Sequence, residues 1–460
     1  MSKLLLNSPL AEKLYTQYAK DMPIFDYHSH VSAEEIYRDR HYSNITQLWL
    51  EHDHYKWRLM RMCGVSEDYI TGERSDREKF LKFCEIIGRC VGNPVYTWTY
   101  MELEKYFGYT GVLNSDTAEQ VWDICSQKLS EEDFGVRKII LGSNVKFVGT
   151  TNSPCEDLEY HKKLTNEGLP YKVCPTFRPD EYLNIDKEEF PRAVERLALA
   201  SGMAIDSERT LRCALRKRMN YFSACGCISA DHGCDYIRYV ETDERSIDRI
   251  FKKALDGASL CEDEIDAYKT YMLLFCARQY AELSWVMQIH YNCIRNPNSL
   301  GFKNIGADGG FDCILRHESS RDISMLLDKM VLQKAPKLIL YSLDENENRY
   351  LDTLAGSFAC GEPYGRIVHG ASWWFNDTRL GIENHIKSMA CLGVLGNFLG
   401  MTTDSRSFLS YSRHDYFRRI LCSQIAQFSE SGENRESFDN IGKTVSDICY
   451  GNTKKFFEES

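Results

Sequence analysis

Eight short runs of apolar and β-branched residues recur along the sequence, and each run ends in polar residues. The runs occupy residues 23–30, 145–152, 171–180, 226–232, 285–291, 337–344, 366–374 and 398–406. Most of the intervals between them place apolar residues at the spacing of an amphipathic helix. Alternating strands and helices predict parallel strands that are joined by helical crossovers. Eight such strands predict an α/β fold of the (β/α)8 type, the TIM barrel.

The predicted barrel must carry a large insertion. A minimal (β/α)8 barrel needs about 250 residues, whereas this chain has 460. The longest interval, residues 31–140, follows the first strand and is rich in aromatic and charged residues. We expect this interval to be mainly helical and to cap the mouth of the barrel. We therefore predict one barrel domain over residues 1–460.

Local signals mark the ends of several helices. Capping boxes are expected at Ser32–Glu35 and Ser412–Asp415. Asp53 can cap a helix that ends near Gly64, since glycine suits the position after a helix. An apolar stripe over residues 416–428 predicts an amphipathic helix.

The composition is that of a folded globular protein, with 43% hydrophobic and 27% charged residues. The net charge of -11 argues against nucleic-acid binding, which requires a basic face. The sequence has no run of about 18 apolar residues and therefore predicts no membrane span. The start MSKLLLNSPL has too short an apolar core for a signal peptide.

GADGG at 306–310 lacks the Lys-Ser/Thr of a phosphate-binding loop, so we interpret it as a plain turn.

Eighteen cysteines are scattered along the chain without a CxxC pair. This pattern is typical of reduced thiols that serve as small buried residues, rather than of disulfides or a structural zinc cluster. We therefore expect a cytoplasmic protein.

The first run ends in FDYHSH, in which His28 and His30 are two residues apart. Side chains at i and i+2 of a strand project to the same face, so both imidazoles should point the same way. Taken alone, the pair could equally be polar surface residues at a strand exit. The eighth run, however, ends in Asp404 and Arg406, and the first and last strands of a closed barrel are neighbours. Two imidazoles and a carboxylate would then converge into a site for a divalent metal such as zinc.

These residues carry a resemblance to a known family. An HxH pair on strand one with an aspartate on strand eight resembles the amidohydrolase superfamily. The stretches FDYHSH, DHYKWRLMRMCGV (53–65), SDREKF (75–80), WWFND (373–377) and TDSRSFLSYSRHDYFRRILC (403–422) resemble the uronate isomerase (glucuronate isomerase) family. The likeness extends along essentially the whole chain.

The resemblance implies an aldose–ketose isomerase that converts glucuronate to fructuronate, or galacturonate to tagaturonate. It implies one divalent metal, zinc or another ion such as manganese, held by His28, His30 and Asp404. In this family the ion anchors the substrate carboxylate and a neighbouring hydroxyl. The sequence leaves the preferred uronate, the native metal and self-association into a homo-oligomer open.

The reaction removes the C2 proton, passes through a cis-enediol and returns a proton to C1. One carboxylate can make both transfers on one face, and Asp404 is the predicted base. The resemblance points to Tyr55, in the insertion, as the group that moves a proton between the two oxygens. A phenol of ordinary pKa is a poor base, so a cation such as Arg406 would help it.

Six further residues are predicted to contact the substrate: His54, Arg178, Asp231, His290, Trp373 and Trp374. Arg178 could grip a carboxylate or hydroxyls, or form a salt bridge with a loop carboxylate. His290 could be a fourth metal ligand, although we favour a hydrogen bond to a substrate hydroxyl. One of the two tryptophans could pack against the sugar ring, and the other could belong to the core. Asn152 stands where many relatives are expected to have an acidic residue.

Two other functions compete with isomerisation. A metal-dependent hydrolase, such as a lactonase or deaminase, would need a metal-activated water and usually further histidines or a lysine. A sugar-acid sensor would bind a uronate without turnover. The intact set of His28, His30, Asp404 and Arg406 argues against the sensor.

Overall fold

The structure is a computed structural model that describes residues 3–360 and 365–458. Its strands are β1 (Ile24–Asp26), β2 (Val145–Asn152), β3 (Lys172–Phe177), β4 (Ser229–Gly233), β5 (Val286–Tyr291), β6 (Cys293–Ile294), β7 (Cys313–Ile314), β8 (Lys337–Ser342) and β9 (Ile367–His369). Seven of them form one curled parallel sheet in the order β1-β2-β3-β4-β5-β8-β9, while β6 and β7 form a small antiparallel ribbon. The first seven predicted strands are therefore present in the predicted order.

Helices fill the intervals between the strands of the sheet. The first are α1 (Pro9–Leu14), α2 (Ala33–Arg38), α3 (Ile45–Leu50), α4 (His54–Met62), α5 (Asp76–Ile87), α6 (Pro94–Phe107), α7 (Ala118–Leu129), α8 (Val136–Gly142), α9 (Glu159–Glu167), α10 (Asp180–Leu183) and α11 (Phe190–Ser201). They are followed by α12 (Glu208–Ala224), α13 (Glu244–Leu255), α14 (Glu262–Leu283), α15 (Ser299–Ile305), α16 (Ser320–Leu332), α17 (Asn348–Ser357), α18 (Arg379–Leu392), α19 (Ser412–Glu430), α20 (Phe438–Ser446) and α21 (Asn452–Glu458). Helices α2 to α8 lie between β1 and β2, within the predicted insertion.

The eighth predicted strand, residues 398–406, forms no regular strand. Gly400 and Asp404 have positive φ angles of 73° and 44°, which break the extended backbone that a ladder requires. The run still lies beside the continuation of β1, because the Asp404 amide donates to the carbonyl of His28 and the His30 amide donates to the carbonyl of Ser405. An irregular segment thus occupies the place of the eighth strand.

The buried carboxylate of Asp26 holds this irregular segment. It accepts hydrogen bonds from the Thr402 hydroxyl at 2.8 Å and from the Thr403 amide and hydroxyl at 2.8 and 2.6 Å. Asp26 is fully buried at the end of β1. Its three bonds fix the backbone directly before Asp404.

The helix signals have mixed outcomes. Asp53 caps α4 as predicted, by accepting from the amides of Tyr55 and Lys56, and Gly64 follows the helix with a φ of 80°. The predicted capping box at Ser412 is wrong, because Ser412 lies inside the first turn of α19 and its side chain makes no cap bond. The preceding turn of 3-10 helix, Phe408–Tyr411, starts the helix instead.

Ser32 accepts a hydrogen bond from the Glu35 amide and caps α2. The Glu35 carboxylate, however, binds Arg40 and Tyr42, so only half of that capping box forms. The residues of the apolar stripe at 416–425 are buried along α19, as predicted.

Aromatic packing joins the start of the sheet to the C-terminal helix. Phe25 of β1 stacks on Phe147 of β2 with ring centroids 4.1 Å apart. Phe457 of α21 lies 5.2 Å from the ring of Tyr27. Among the described residues, none of the helices combines the length and apolarity that a bilayer crossing requires.

Candidate active site

Three predicted ligands meet where β1 ends beside the irregular segment. The Nε2 atoms of His28 and His30 each lie 3.1 Å from Oδ1 of Asp404. One ligand atom from each residue lies within 4.8 Å of the other two, so the group could hold a metal ion. Asp404 has a left-handed φ of 44°, a conformation that is unusual for a residue other than glycine and that recurs at functional sites.

Asp231 lies behind His28, on the other side of the imidazole. Its Oδ1 is 2.7 Å from Nδ1 of His290, and its Oδ2 is 4.0 Å from Nδ1 of His28 and 3.2 Å from Nη1 of Arg178. The group His28, Asp231 and His290 could also hold a metal ion. Asp231 is completely buried, so its carboxylate faces these neighbours and not an open mouth.

Burial and ion pairing together set the protonation of this cluster. Burial favours the neutral form of Asp404, but hydrogen bonds from His28 and His30 hold its pKa well below the usual range. Burial lowers the pKa of His30 to about 4. Burial also disfavours a charged His28, yet Asp231 and Asp404 raise the pKa of this imidazole above its ordinary value. The pKa of Asp231 lies well below normal, because Arg178 and the imidazoles outweigh its burial.

Trp373 touches the site through its indole nitrogen. Nε1 donates a hydrogen bond of 2.8 Å to Oδ2 of Asp404, and the ring lies 4.7 Å from His290. The backbone of Trp374 has a φ of 50°, and its ring lies 5.4 Å from His54. Both tryptophans are buried in the loop after β9.

Helix α4 brings His54 and Tyr55 to the same place. One pocket is lined by residues of the insertion, namely Glu35, Tyr42, Gln47, Leu48 and Glu51–Tyr55, together with Asp404–Ser407. His54 and Tyr55 stack with ring centroids 5.0 Å apart. The structure thus brings the predicted base and the predicted shuttle to the wall of one pocket.

The ring of Tyr55 contacts a cation that the sequence did not predict. Arg406 pairs with Asp308 at 2.8 Å, so the predicted turn at 306–310 is present and also contacts the site. The guanidinium near Tyr55 belongs to Arg413, whose central carbon lies 5.3 Å from the Tyr55 ring centroid. Burial and then Asp404 raise the pKa of Tyr55 well above its ordinary value, and Arg413 opposes them.

Arg178 forms the salt bridge that the sequence left as one of two alternatives. Its Nε lies 2.8 Å from Asp180, the loop carboxylate, and its Nη1 lies 3.2 Å from Asp231. Asn152 is the last residue of β2, and its carbonyl accepts from the Arg178 amide. The side chain of Asn152 donates from Nδ2 to Glu156 at 2.7 Å and accepts from the Thr150 hydroxyl at Oδ1. An amide at position 152 therefore complements a carboxylate, which explains why an acidic residue is not required here.

Two contributors were missed by the sequence analysis. Asp26 offered one signal, a charged residue between Phe25 and Tyr27 in an apolar strand. Such a residue is buried only when it is hydrogen-bonded. The sequence around Arg413 gave no such signal, because its place in the first turn of α19 does not predict a contact with the ring of Tyr55.

Parallel strands whose carboxyl ends carry imidazoles and carboxylates define the class of α/β barrel enzymes. Comparison with known proteins identifies the family within that class. A family model described as glucuronate isomerase matches residues 1–457. A uronate isomerase from Caldanaerobacter subterraneus subsp. tengcongensis is 46% identical over 454 residues, which cover 98% of this chain and 97% of that protein.

Solved structures agree with the sequence relatives. The uronate isomerase from Thermotoga maritima aligns with a TM-score of 0.93 and 32% identity over 99% of each chain. The glucuronate isomerase from Caulobacter crescentus aligns with a TM-score of 0.91 and 27% identity over 99% of this chain and 96% of that one. The chain belongs to the glucuronate isomerase family. This membership confirms the predicted fold class and isomerase function, and it does not favour the hydrolase alternative.

Proposed function

We propose that the pocket beside His28, His30 and Asp404 interconverts D-glucuronate with D-fructuronate, and D-galacturonate with D-tagaturonate, through a cis-enediol. The observation that carries this proposal is the convergence of these three side chains beside Tyr55 in a chain of this family. Proton transfer between C2 and C1 needs a carboxylate within reach of both carbons, and Asp404 is the pocket-lining carboxylate that lies beside His28 and His30.

One divalent metal ion is part of the proposal. The donor set fits such an ion, because two imidazole nitrogens and a carboxylate oxygen suit zinc, and also manganese. Asp231 faces the opposite nitrogen of His28, as carboxylates behind metal-binding imidazoles commonly do. A bound ion would anchor the substrate carboxylate and a neighbouring hydroxyl. We prefer the group that includes His30 and Asp404, because Asp404 lines the pocket that His54 and Tyr55 also line.

The chain's own residues supply the proton transfers. Asp404 is ionised, as a base must be, since its pKa lies well below the usual range. Trp373 holds one oxygen of this carboxylate through its indole N–H, which fixes the orientation of the other oxygen. Tyr55 is the proposed shuttle between the O1 and O2 oxygens, and Arg406 contributes positive charge beside the pocket.

The remaining predicted residues would bind and orient the sugar. His54 lies on the pocket wall and can donate to a hydroxyl. Arg178 keeps about a quarter of its side chain exposed despite its two ion pairs and can reach an anionic substrate. His290 and Trp374 complete the surroundings, His290 through the one ring nitrogen that Asp231 does not occupy.

Proton NMR of the purified protein with each uronate in D₂O tests this function. We expect a ketose product that carries deuterium at C1, because the base exchanges its proton with solvent. Ketose without deuterium would indicate a shielded base or a hydride shift. The absence of turnover with either sugar, in the presence of added zinc or manganese, would contradict the proposal.

The eighteen free cysteines support a cytoplasmic location, and homo-oligomerisation stays a prediction.

A further inference from the structure

Arg413 is a buried cation that forms no direct ion pair with a carboxylate of the described residues. It is the second residue of α19, and only 1% of its side chain is exposed. Its single hydrogen bond among the described residues runs from Nη1 to the carbonyl of Thr403 at 3.4 Å, and its Nε has no partner there. Removing such a charge from water is costly, so buried arginines are normally paired with carboxylates. The position of Arg413 therefore calls for another explanation.

Aromatic rings make the direct contacts of the guanidinium, while Asp53, Glu102 and Asp377 interact with its charge from a greater distance. The central carbon of the guanidinium lies 4.0 Å from the ring centroid of Trp98 and 5.3 Å from that of Tyr55. The two rings meet edge to face with centroids 6.2 Å apart. A desolvated guanidinium over ring faces is attracted by their electron density. Arg413 thus fixes the ring of Tyr55 from within the protein.

The same side chain also reaches the backbone beside the proposed base. Thr403, which accepts its hydrogen bond, directly precedes Asp404. Arg413 therefore contacts both the segment that carries Asp404 and the ring of Tyr55. Arg406 lines the same pocket, but the cation contact with the Tyr55 ring comes from Arg413, whereas Arg406 pairs with Asp308.

We propose that Arg413 is the positioning residue of the isomerase reaction, which holds the Tyr55 ring and stabilises its oxyanion while the phenol is deprotonated. The inference rests on the proposed shuttle role of Tyr55. Asp404, Asp377 and Asp53 all disfavour a phenolate at this position, and Arg413 is the cation that opposes them. The Coulomb attraction between a cation and an oxyanion at a given distance is several times stronger in a buried site than in water.

A double-mutant cycle tests this assignment. Arg413→Met should lower kcat for uronate isomerisation about tenfold or more when Tyr55 is present, with a much smaller effect on KM. In a Tyr55→Phe background the same change should lower kcat less than about threefold, because the oxyanion to be stabilised is gone. Arg413→Lys, which retains a cation, should recover part of the loss and provides the test if the methionine variant does not fold.

Arg418→Met is the matched control for the loss of a buried arginine from α19. Arg418 is 4% exposed, donates to the carbonyls of Met22 and Pro23 and contacts the Cys449 thiol, away from the pocket. Its loss should lower the melting temperature without changing kcat. Equal losses from Arg413→Met with and without Tyr55 would assign Arg413 a purely structural role and overturn the inference. An unchanged kcat in Tyr55→Phe would overturn the shuttle role as well, whereas absent turnover in the wild type would contradict the proposed function itself.

Discussion

The indole N–H of Trp373 donates to Oδ2 of Asp404, while Oδ1 of the same carboxylate lies 3.1 Å from both His28 and His30. The two oxygens thus have different neighbours. One faces the predicted metal ligands, and the other is held by a tryptophan that follows β9. Oδ1 is therefore available as a predicted metal ligand, while the hydrogen bond to Oδ2 fixes the orientation of the Asp404 carboxylate.

Trp373→Phe removes the hydrogen bond and keeps an aromatic ring. We expect kcat to fall about 10- to 100-fold, since a hydrogen bond to a charged group contributes about 1.5–3 kcal/mol. Steady-state kinetics of ketose formation would measure the effect. Trp285→Phe makes the same change at a buried tryptophan that packs against Phe177 and Tyr280, and it should leave kcat unchanged. Equal kcat values in the two variants would contradict a role for the Trp373 bond.

Asp404→Asn keeps the size of the side chain and removes the proposed base. We expect a folded protein whose kcat is lower by about 100- to 10,000-fold, the usual contribution of a general base. Circular dichroism would establish folding, and NMR would measure turnover. Near-wild-type turnover in a folded variant would contradict the assignment of Asp404 as the base.

The sequence predicted the part of the site that follows from strand geometry. Alternation of side chains along β1 predicts that His28 and His30 share a face, and the closure of a barrel predicts a neighbouring Asp404. Both expectations need only local periodicity and the order of the strands. The seven strands of the sheet could be predicted for the same reason.

The sequence could not predict the irregular segment or the partners of the arginines. Bonds between Asp26 and the two threonines before Asp404 hold the irregular segment, in which Asp404 has a positive φ. The contact between Arg413 and Tyr55 joins α19 to a helix of the insertion, and the pair Arg406–Asp308 joins two distant loops. These contacts depend on tertiary packing between elements far apart in the chain, which hydrophobic periodicity does not encode.

Removal of divalent metal should lower both activity and stability. A ligand that binds only the folded state stabilises it by mass action. We expect chelation to lower the melting temperature and kcat, and added zinc or manganese to restore both. His30→Ala should show no increase in melting temperature when metal is added. A metal-dependent increase in that variant as large as in the wild type would contradict the ligand set of His28, His30 and Asp404.

Arg178→Met tests substrate binding against the salt bridge. If Arg178 grips the uronate, KM should rise about 10- to 100-fold with a smaller change in kcat, as expected for lost uniform binding. The loss of its ion pair with Asp231 should also lower the melting temperature. Asp180→Asn is the control, because it removes the other ion pair of Arg178 and retains the guanidinium. An unchanged KM in Arg178→Met would leave only the structural role.

Asp377 predicts a specific pH dependence of stability. Burial raises its pKa to about 7, with Asp404 acting in the same direction and Arg413 opposing. Because the unfolded chain releases this proton near pH 4 and the folded protein releases it near pH 7, the contribution of Asp377 to stability falls as pH rises through this window. Each pH unit costs at most about 1.4 kcal/mol of unfolding free energy.

Asp377→Asn should remove that dependence. We expect the unfolding free energy of the variant, relative to the wild type, to increase from pH 4 to pH 7 and then to level off. Urea unfolding across this range would measure the difference. Asp256→Asn makes the same change at an exposed position after α13 and serves as the control for the loss of a carboxylate. Parallel stability curves for the wild type and Asp377→Asn would show that the folded protein binds no extra proton at Asp377.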